Sequence, residues 1–371
     1  MKFLNQVICF LVGALFIFSG VVKAIDPVGT AIKLGEYFEV FATDVPSLHD
    51  FFHFLSQEQN ALVLAVVFVV SEIVLGIALL IGFKRKVTVW LLFLMITFFT
   101  FLTFYSAYFN KVTDCGCFGD FLPLKPWESF TKDVVLFVLI TILLVQVKKL
   151  TNKSNFFTFV VMISTMLLSG FLCFHAIRYE APIDFRAYAV GENISEQMKA
   201  PEPARYLYIM EKDGKKYEMK EYPTDPTYKY DSMILLNEEA IQPKITDYSL
   251  WNDEGDFTQE SLTEKRIFIL IQNVEKANFT TFEKIKKLIS EVTAKNANIK
   301  VAILTSDTQE AISSFKTSQN FNFPFYYIDA TVIKTIARSN PALWILNEGT
   351  VIGKYSPNEI PKSKEVLTLF E

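Results

Sequence analysis

Two cysteines separated by one glycine, Cys115 and Cys117, have the residue type and spacing that point most directly to chemistry. Two residues of chain span about the 4.4–6.8 Å between Cα atoms that a disulfide requires. Gly116 and Gly119 can adopt the backbone angles of so tight a ring. Strained disulfides are the easily reduced ones. The spacing therefore predicts a redox-active pair, and a static disulfide and a pair of metal-binding thiols remain as alternatives.

Three acidic residues are candidates for supporting that chemistry. Asp114 and Asp120 flank the cysteine pair, and their negative charge is expected to disfavour the thiolates and so to raise the pKa of both cysteines. Glu72 lies within an apolar run, where an acid indicates a functional site; the alternative is a protonated carboxyl hydrogen-bonded to a neighbouring helix. Lys23 ends another apolar run and is expected to extend its ammonium to the membrane surface.

A metal site is a weaker alternative for the same two cysteines. His49 and His53 are four residues apart and would share one face of a helix. Two thiolates and two imidazoles would form a tetrahedral set of the kind that binds zinc. A Cys-x-Cys spacing chelates a metal less well than Cys-x-x-Cys, which favours the redox interpretation.

The composition is that of a membrane protein. Of 371 residues, 51% are hydrophobic, only 20% are charged and 36 are phenylalanine, whereas soluble domains contain about 25% charged residues. The net charge of −4 excludes the basic surface that a nucleic-acid partner requires. An ordinary soluble enzyme is therefore not expected, and the lipid bilayer is the first predicted partner.

Hydropathy predicts five membrane spans, since a spanning helix needs about 20 mostly apolar residues. Four are plainly apolar, and a weaker one, at 127–147, begins with charged residues that are expected to lie at the interface. The four are 3–24, 61–82, 87–109 and 156–177. The N-terminus and the loops 84–86 and 148–155 together carry seven basic and no acidic residues, which predicts that they are cytoplasmic and that everything after residue 177 is extracytoplasmic.

The region after the last span has a soluble composition. Residues 181–204 are expected to be a linker, and 205–221 alternate as a β-hairpin that turns at Asp213-Gly214. From residue 245 onward, strands and helices alternate, which predicts a mixed sheet with helices on both faces. The expected strands are 245–251, 266–272, 300–305, 323–329, 342–347 and 350–355, and the expected helices are 280–295, 308–317 and 330–337.

This element order resembles the thioredoxin fold of membrane-tethered thiol oxidoreductases and peroxiredoxins over 245–371. Pro341 stands where that family keeps a cis-proline. The family's Cys-x-x-Cys would follow the strand 266–272, but residues 273–279 contain no cysteine. The resemblance therefore implies a docking module without thiols of its own. Its edge at Asn340 and Pro341 is expected to bind a partner's extended backbone.

The first 150 residues resemble the DoxX family and the related methylamine-utilisation MauE family. The matching segments are Phe18-Ser19-Gly20-x-x-Lys23, Asp26-Pro27, Lys33-Leu34-x-Glu36-Tyr37-Phe38, Glu72-x-x-Leu75-Gly76 and Asp114-Cys115-Gly116-Cys117-Phe118-Gly119-Asp120. The last segment is the most specific. The resemblance implies a four-helix membrane bundle associated with quinone-linked or disulfide-linked redox processes.

The predicted architecture is an α-helical membrane bundle followed by an extracytoplasmic α/β domain. Residues 1–150 are expected to form the four-helix DoxX/MauE-like core and 151–180 a fifth transmembrane helix. Residues 181–244 are expected to be linker and hairpin, and 245–371 a thioredoxin-like domain.

The predicted function is that of a membrane redox accessory protein at the outer face of the inner membrane. It would carry out thiol–disulfide or quinone-coupled electron transfer with an extracytoplasmic protein thiol as partner. The alternatives are a non-enzymatic scaffold whose outer domain binds partner proteins, and a metal-binding membrane protein.

The orientation gives a first testable prediction. A reporter enzyme that is active only outside the cytoplasm should be active when fused after Glu371 and inactive when fused after Lys149. The reason is that the seven basic residues predict a cytoplasmic location for the loop that contains Lys149. Activity of a cytoplasm-only reporter at Glu371 would contradict the orientation.

Overall fold

A computed structural model describes residues 2–112, 116, 118–150, 152–238 and 240–371, without the side chain of Lys2. The chain folds into two compact units, Met1–Arg186 and Ala187–Glu371. The first unit is helical and the second is built around β-sheet.

The first unit is a bundle of helices. Its longer helices, in chain order, are α1 (Lys2–Ile25), α2 (Pro27–Asp44), α3 (His49–Ser56), α4 (Glu58–Ile81), α5 (Arg85–Phe109), α6 (Pro126–Val145) and α7 (Phe156–Arg178). Helix α2 begins at a proline that follows an N-cap: the Asp26 carboxylate accepts a hydrogen bond from the Gly29 backbone N–H at 2.9 Å. The motif residues Asp26 and Pro27 thus serve to start a helix.

Four helices of the described residues, α1, α4, α5 and α7, are long and apolar enough to cross a membrane. They match the four plainly apolar spans that the sequence predicts. Their outward side chains remain exposed, as for Leu167 and Leu168 on α7, each 68% exposed, which is what a bilayer would cover. The predicted weaker span corresponds to α6, which forms a helix but is not among these four. The chain is therefore an integral membrane protein with four span-capable helices.

The second unit contains two β-sheets among its described residues. Its elements are α8 (Ile194–Gln197), β1 (Tyr206–Lys212), β2 (Lys215–Met219), β3 (Lys229–Leu235), β4 (Trp251–Asn252), β5 (Gly255–Asp256), α9 (Thr258–Ser261), β6 (Lys265–Ile271), α10 (Phe279–Lys295), β7 (Lys300–Thr305), α11 (Gln309–Gln319), β8 (Phe325–Tyr327), α12 (Ala330–Ile336), β9 (Ala342–Asn347), β10 (Thr350–Tyr355) and α13 (Ser363–Leu369).

The larger sheet has the order β10-β9-β6-β7-β8-β4-β5. Strands β6, β7 and β8 are parallel, whereas β9 and β10 are antiparallel to their neighbours. Apolar clusters cover both faces, one around Trp344 and Phe268 and the other around Phe282 and Phe315. The Asn340-Pro341 peptide directly before β9 is cis. The thioredoxin-like fold that the sequence predicts is therefore confirmed.

Several local predictions differ from the structure. Within the predicted linker 181–204, Tyr188 and Ile194 are buried in the core of the second unit, and Asn193 forms a bridge to Thr350 beside β10; the apolar side chains of this segment fill the sheet's edge. The predicted hairpin is present as β1 and β2, but β3 adds a third strand. Of the predicted strand 245–251, only its last residue joins the sheet, because the preceding side chains pack inward instead.

Close packing of α1 against α4 depends on glycines. A Cβ placed on Gly76 would lie 2.8 Å from the backbone oxygen of Gly13, and a Cβ on Gly20 would lie 2.6 Å from Ile73. Small residues let membrane helices approach closely. These glycines therefore set the distance between the two helices.

Substitution at this contact should destabilise the bundle. Gly76→Ala is expected to lower the free energy of unfolding by about 1–3 kcal/mol, since an inserted methyl has to displace backbone. Gly170→Ala on α7 is the matched control, because nothing lies within 4 Å of its added Cβ. Thermal unfolding in detergent measures both, and equal melting temperatures would contradict the role of the glycine contact.

Candidate functional site

The predicted cysteine pair lies in the loop between α5 and α6. Asp114, Cys115 and Cys117 are outside the described residues, so the pair and the flanking Asp114 stay predictions. The described parts of the loop fit the prediction for its glycines, since Gly116 has φ +61° and Gly119 φ +50°. Both are left-handed backbone conformations that favour glycine.

The loop is attached at its first end to α2 and α5. The Ser106 hydroxyl donates a hydrogen bond to the carbonyl of Val112, and the Lys111 ammonium forms an ion pair with Asp44 at the end of α2. Hydrogen bonds from Lys111 and, to a smaller extent, from Tyr105 lower the pKa of the Asp44 carboxyl. The ion pair therefore persists at neutral pH and weakens only as the pH falls through that lowered pKa.

The loop is attached at its second end to α1 and α6. The ring of Phe118 is buried, 5.5 Å from the ring of Phe18, and the ammonium of Lys132 lies 5.1 Å from its centre. A Cβ placed on Gly116 would lie 3.3 Å from Cγ of Lys33. Asp120 is exposed, in the short turn that follows. The glycine between the two cysteines is thus seated on a lysine side chain of α2.

Glu72 and Lys23 form a buried ion pair inside the bundle. The Lys23 ammonium lies 2.6 Å from Glu72 Oε1, and the two side chains are 8% and 2% exposed. The ammonium also lies 4.7 Å from the centre of the Phe99 ring. The expectation that Lys23 extends to the membrane surface is therefore wrong, because its buried position gives it a carboxylate and an aromatic ring as partners. Glu72 therefore contacts a neighbouring helix through its ion pair with Lys23 of α1.

Two small cavities meet at this ion pair. One has a volume of about 40 Å³ and is lined by both charged residues and by Thr30, Lys33, Tyr37 and Gly116. The other has a volume of about 30 Å³ and is lined by the same pair with Ser19, Phe118, Lys132 and Asp133. Either volume exceeds the 10–15 Å³ or so that one water needs. The ion pair therefore shares one cavity with Gly116 and the other with Phe118.

A second buried charge pair lies on α6. Asp133 is 1% exposed, and its carboxylate accepts hydrogen bonds from the Lys132 ammonium at 2.6 Å and from the Thr103 hydroxyl at 3.1 Å. Asp133 is thus buried within the bundle, and the depth of these charges relative to the membrane interface stays a prediction. The carboxylate turns into the bundle because α5 offers it a hydroxyl donor.

The histidines considered for metal binding lie on α3. Their rings stack at 5.8 Å, and His49 Nδ1 lies 3.1 Å from the carbonyl oxygen of Ala42. Among the described residues there is no group of three or more metal-binding side chains. The four-ligand set also needs Cys115 and Cys117, which are outside those residues, so the metal alternative stays a prediction.

In the second unit, the loop that replaces Cys-x-x-Cys is tied to its neighbours. The Asn340 amide donates to the carbonyl of Asn273 at 2.7 Å and accepts from the backbone N–H of Gln272 at 3.2 Å. The Asp307 carboxylate accepts from the backbone N–H of Val274 at 2.8 Å. Pro341 is buried beside this loop. Asn340 is thus engaged within the domain, and its predicted role in binding a partner stays a prediction.

The first unit is similar to a known protein family. Residues 1–146 match the family model of methylamine utilisation protein MauE. The match includes Lys23, Glu72 and the whole cysteine loop. It confirms the resemblance to MauE that the sequence segments indicate.

The other comparisons each cover about a third of the chain. Protein TlpB of Flavobacterium psychrophilum is 26% identical over 111 residues, which are 28% of this chain and 30% of that protein. This chain therefore spans less than a third of that relative's length. A secreted disulfide oxidoreductase of Mycobacterium tuberculosis is 19% identical with a TM-score of 0.26, covering 33% of this chain and 96% of its own. The bacterioferritin comigratory protein of Xanthomonas campestris is 14% identical with a TM-score of 0.24, and the match covers 34% of this chain and 87% of that protein.

The buried ion pair gives a prediction for stability. Glu72→Leu should lower the free energy of unfolding by about 3–5 kcal/mol, because it leaves the Lys23 ammonium buried without a carboxylate. The double variant Lys23→Met/Glu72→Leu should recover most of this loss, since both charges are removed together. Melting temperatures in detergent test the difference, and losses that simply add would contradict a direct coupling.

Proposed function

We propose that this chain is a membrane thiol-redox protein in which Cys115 and Cys117 exchange electrons with the cysteines of a protein partner. The main support is the seating of their loop, whose Gly116 lines a cavity that also contains the buried Lys23–Glu72 pair. The MauE match over residues 1–146 and the thioredoxin-like second unit add to it.

The proposed reaction is thiol–disulfide exchange. One thiolate of the reduced pair attacks a partner disulfide, and a new S–S bond forms as the partner's S–S bond breaks. The second cysteine then attacks this mixed disulfide and releases the partner as a dithiol. Cys115 and Cys117 are oxidised and the partner is reduced; the reverse direction has the same steps. No further oxidant is needed for the exchange itself.

A quinone as electron acceptor fits the described residues poorly. The two cavities at the ion pair, about 30 and 40 Å³, are far below the 300 Å³ or so of a small-molecule pocket. A larger cleft of about 450 Å³ lies between α4, α5 and α7, but its described lining is apolar apart from the hydroxyl of Ser71. That cleft suits a hydrocarbon chain and offers little to the carbonyl oxygens of a quinone head. The proposal therefore includes no quinone step.

The second unit is proposed to bind the partner. Residues 187–371 contain no cysteine, so this domain needs thiols from elsewhere. Its edge at Asn340 and Pro341 would pair with an extended segment of the partner. The basic residues in the loops 84–86 and 148–155 support an orientation that places this domain outside the inner membrane.

A cysteine substitution tests the proposed function. Cys117→Ser should accumulate a mixed disulfide with a partner protein, because Cys115 alone cannot resolve it. Cys173→Ser is the matched control, since Cys173 is a buried free thiol of α7. Non-reducing gels of membranes, with mass spectrometry of the trapped species, provide the measurement.

The scaffold alternative gives the opposite result. If Cys115 and Cys117 keep one redox state under every growth condition, and the double serine variant behaves as wild type, the thiols are structural. The second unit would then act by binding alone.

A further inference from the structure

We propose that Glu72 is the proton acceptor and donor for the thiols of Cys115-Gly116-Cys117, and that the cavity of about 40 Å³ is the path of the proton. This inference rests on the proposed thiol exchange and assigns a chemical role to a carboxylate within the membrane bundle. General bases must lie within hydrogen-bond reach of the proton they take, directly or through water.

The first observation is the state of the carboxylate. Glu72 is 1% exposed, and its Oε1 accepts from the Lys23 ammonium at 2.6 Å. Its Oε2 is buried and has no hydrogen-bond partner among the described residues. A buried carboxylate oxygen without a donor costs free energy of folding, so packing alone does not account for it. The lone pairs of Oε2 remain ready to accept a proton.

The second observation is what connects that oxygen to the loop. The same cavity is lined by Glu72 at one place and by Gly116, the residue between the two cysteines, at another. Thr30, Tyr37 and Thr103 add hydroxyl groups to its wall. Apolar side chains form much of the lining, but the volume is sufficient for a water molecule beside the charged and hydroxyl groups, and water with hydroxyl groups can carry a proton from a thiol to a carboxylate.

Charged and titratable groups face Glu72 from several helices. Lys23 comes from α1, Lys33 and Tyr37 from α2, and Lys132 and Asp133 from α6. The Lys33 ammonium is itself bonded to Glu36 at 3.2 Å, and Asp133 to Lys132 at 2.6 Å. Among these groups, Glu72 is the carboxylate that lines both cavities. It is therefore the base best placed to serve the loop.

The proton and the electrons balance in the following way. The S–H bond of one cysteine breaks, its proton moves to the Glu72 carboxylate, and the thiolate attacks the partner disulfide. The partner's leaving sulfur is expelled as a thiolate and receives a proton from Glu72. The second cysteine repeats the cycle as it resolves the mixed disulfide. The pair is oxidised, the partner disulfide becomes a dithiol, and Glu72 ends as it began.

The test measures exchange of the reduced full-length protein with oxidised glutathione, which stands in for the partner disulfide. A Cys9→Ala/Cys173→Ala background removes the two buried free thiols. Glu72→Gln should slow oxidation of the remaining pair about 100-fold at pH 7, the lower end of general acid–base effects. The loss should disappear at a pH above the pKa of about 8.5 of a free cysteine, because Asp114 and Asp120 are expected to raise the pKa of the pair and ionised thiols need no base.

Three further variants separate this role from others. Glu72→Asp keeps a carboxylate and should restore part of the rate. Glu58→Gln, on the same helix but outside both cavities, should leave the rate unchanged. Lys23→Met/Glu72→Leu removes the base without leaving a buried charge unpaired, and it decides the question if Glu72→Gln does not fold.

The outcomes are distinct. Rates at pH 7 that equal or exceed wild type in both Glu72→Gln and the double variant overturn the inference, because an unpaired Lys23 ammonium would only favour the thiolate. In that case exchange by the wild-type pair still supports the proposed function. Failure of the wild-type pair to exchange at any pH overturns the proposed function itself.

Discussion

The buried contact between Lys23 and Glu72 is the constraint on which the first unit depends. Removing two charges from water costs several kcal/mol for each ion, and the cost is offset only when the pair has good geometry. The 2.6 Å separation requires α1 and α4 to cross closely. Gly13, Gly20 and Gly76 make that crossing possible, since a side chain at any of them would collide with the facing helix. Glycine spacing, helix approach and ion pair therefore depend on one another.

The same constraint explains the composition of α6. A helix with Glu128, Lys132 and Asp133 in its first two turns is too polar to be recognised as a span. Its Asp133 carboxylate, however, faces α5 and accepts a hydrogen bond from the Thr103 hydroxyl. The Lys132 ammonium lies over the Phe118 ring of the cysteine loop. Asp133 thus belongs to the interior of the bundle and Lys132 to the support of the loop, whereas Glu128 is exposed. Hydropathy alone assigns them to the membrane surface.

Sequence reasoning succeeds where one segment determines its own structure. The four apolar spans and the strands β7, β9 and β10 follow from runs of apolar residues, and the cis-proline position follows from the resemblance to thioredoxins. Sequence reasoning fails where the structure depends on contacts between segments that are distant in the sequence. Along the chain, Lys23 lies at the end of α1 and Glu72 well inside α4, so counting residues places them at different depths. The glycines of the two helices carry the signal that could have aligned them.

Two local predictions for the second unit fail for a related reason. Strand β3 is mostly polar and exposed, so its sequence has no apolar alternation, and its partner β1 gives it its structure. Tyr188 and Ile194 stand in a proline-containing stretch typical of a linker, yet the open edge beside β10 gives them a core to enter. In both cases, contact with a neighbouring element stabilises the segment. The segment's own residue pattern does not indicate that contact.

The two units differ in their cysteine content. In the second unit, Asn340 donates a hydrogen bond to the loop where catalytic cysteines would lie, and Asp307 accepts one from it. Polar side chains therefore hold this loop in place. All four cysteines of the chain precede residue 187, and the closely spaced pair belongs to a loop seated on buried charges. Burial of such charges is costly, and the direct contact between Lys23 and Glu72 offsets part of that cost. The described residues of the cysteine loop therefore lie against a bundle whose interior holds fixed charges.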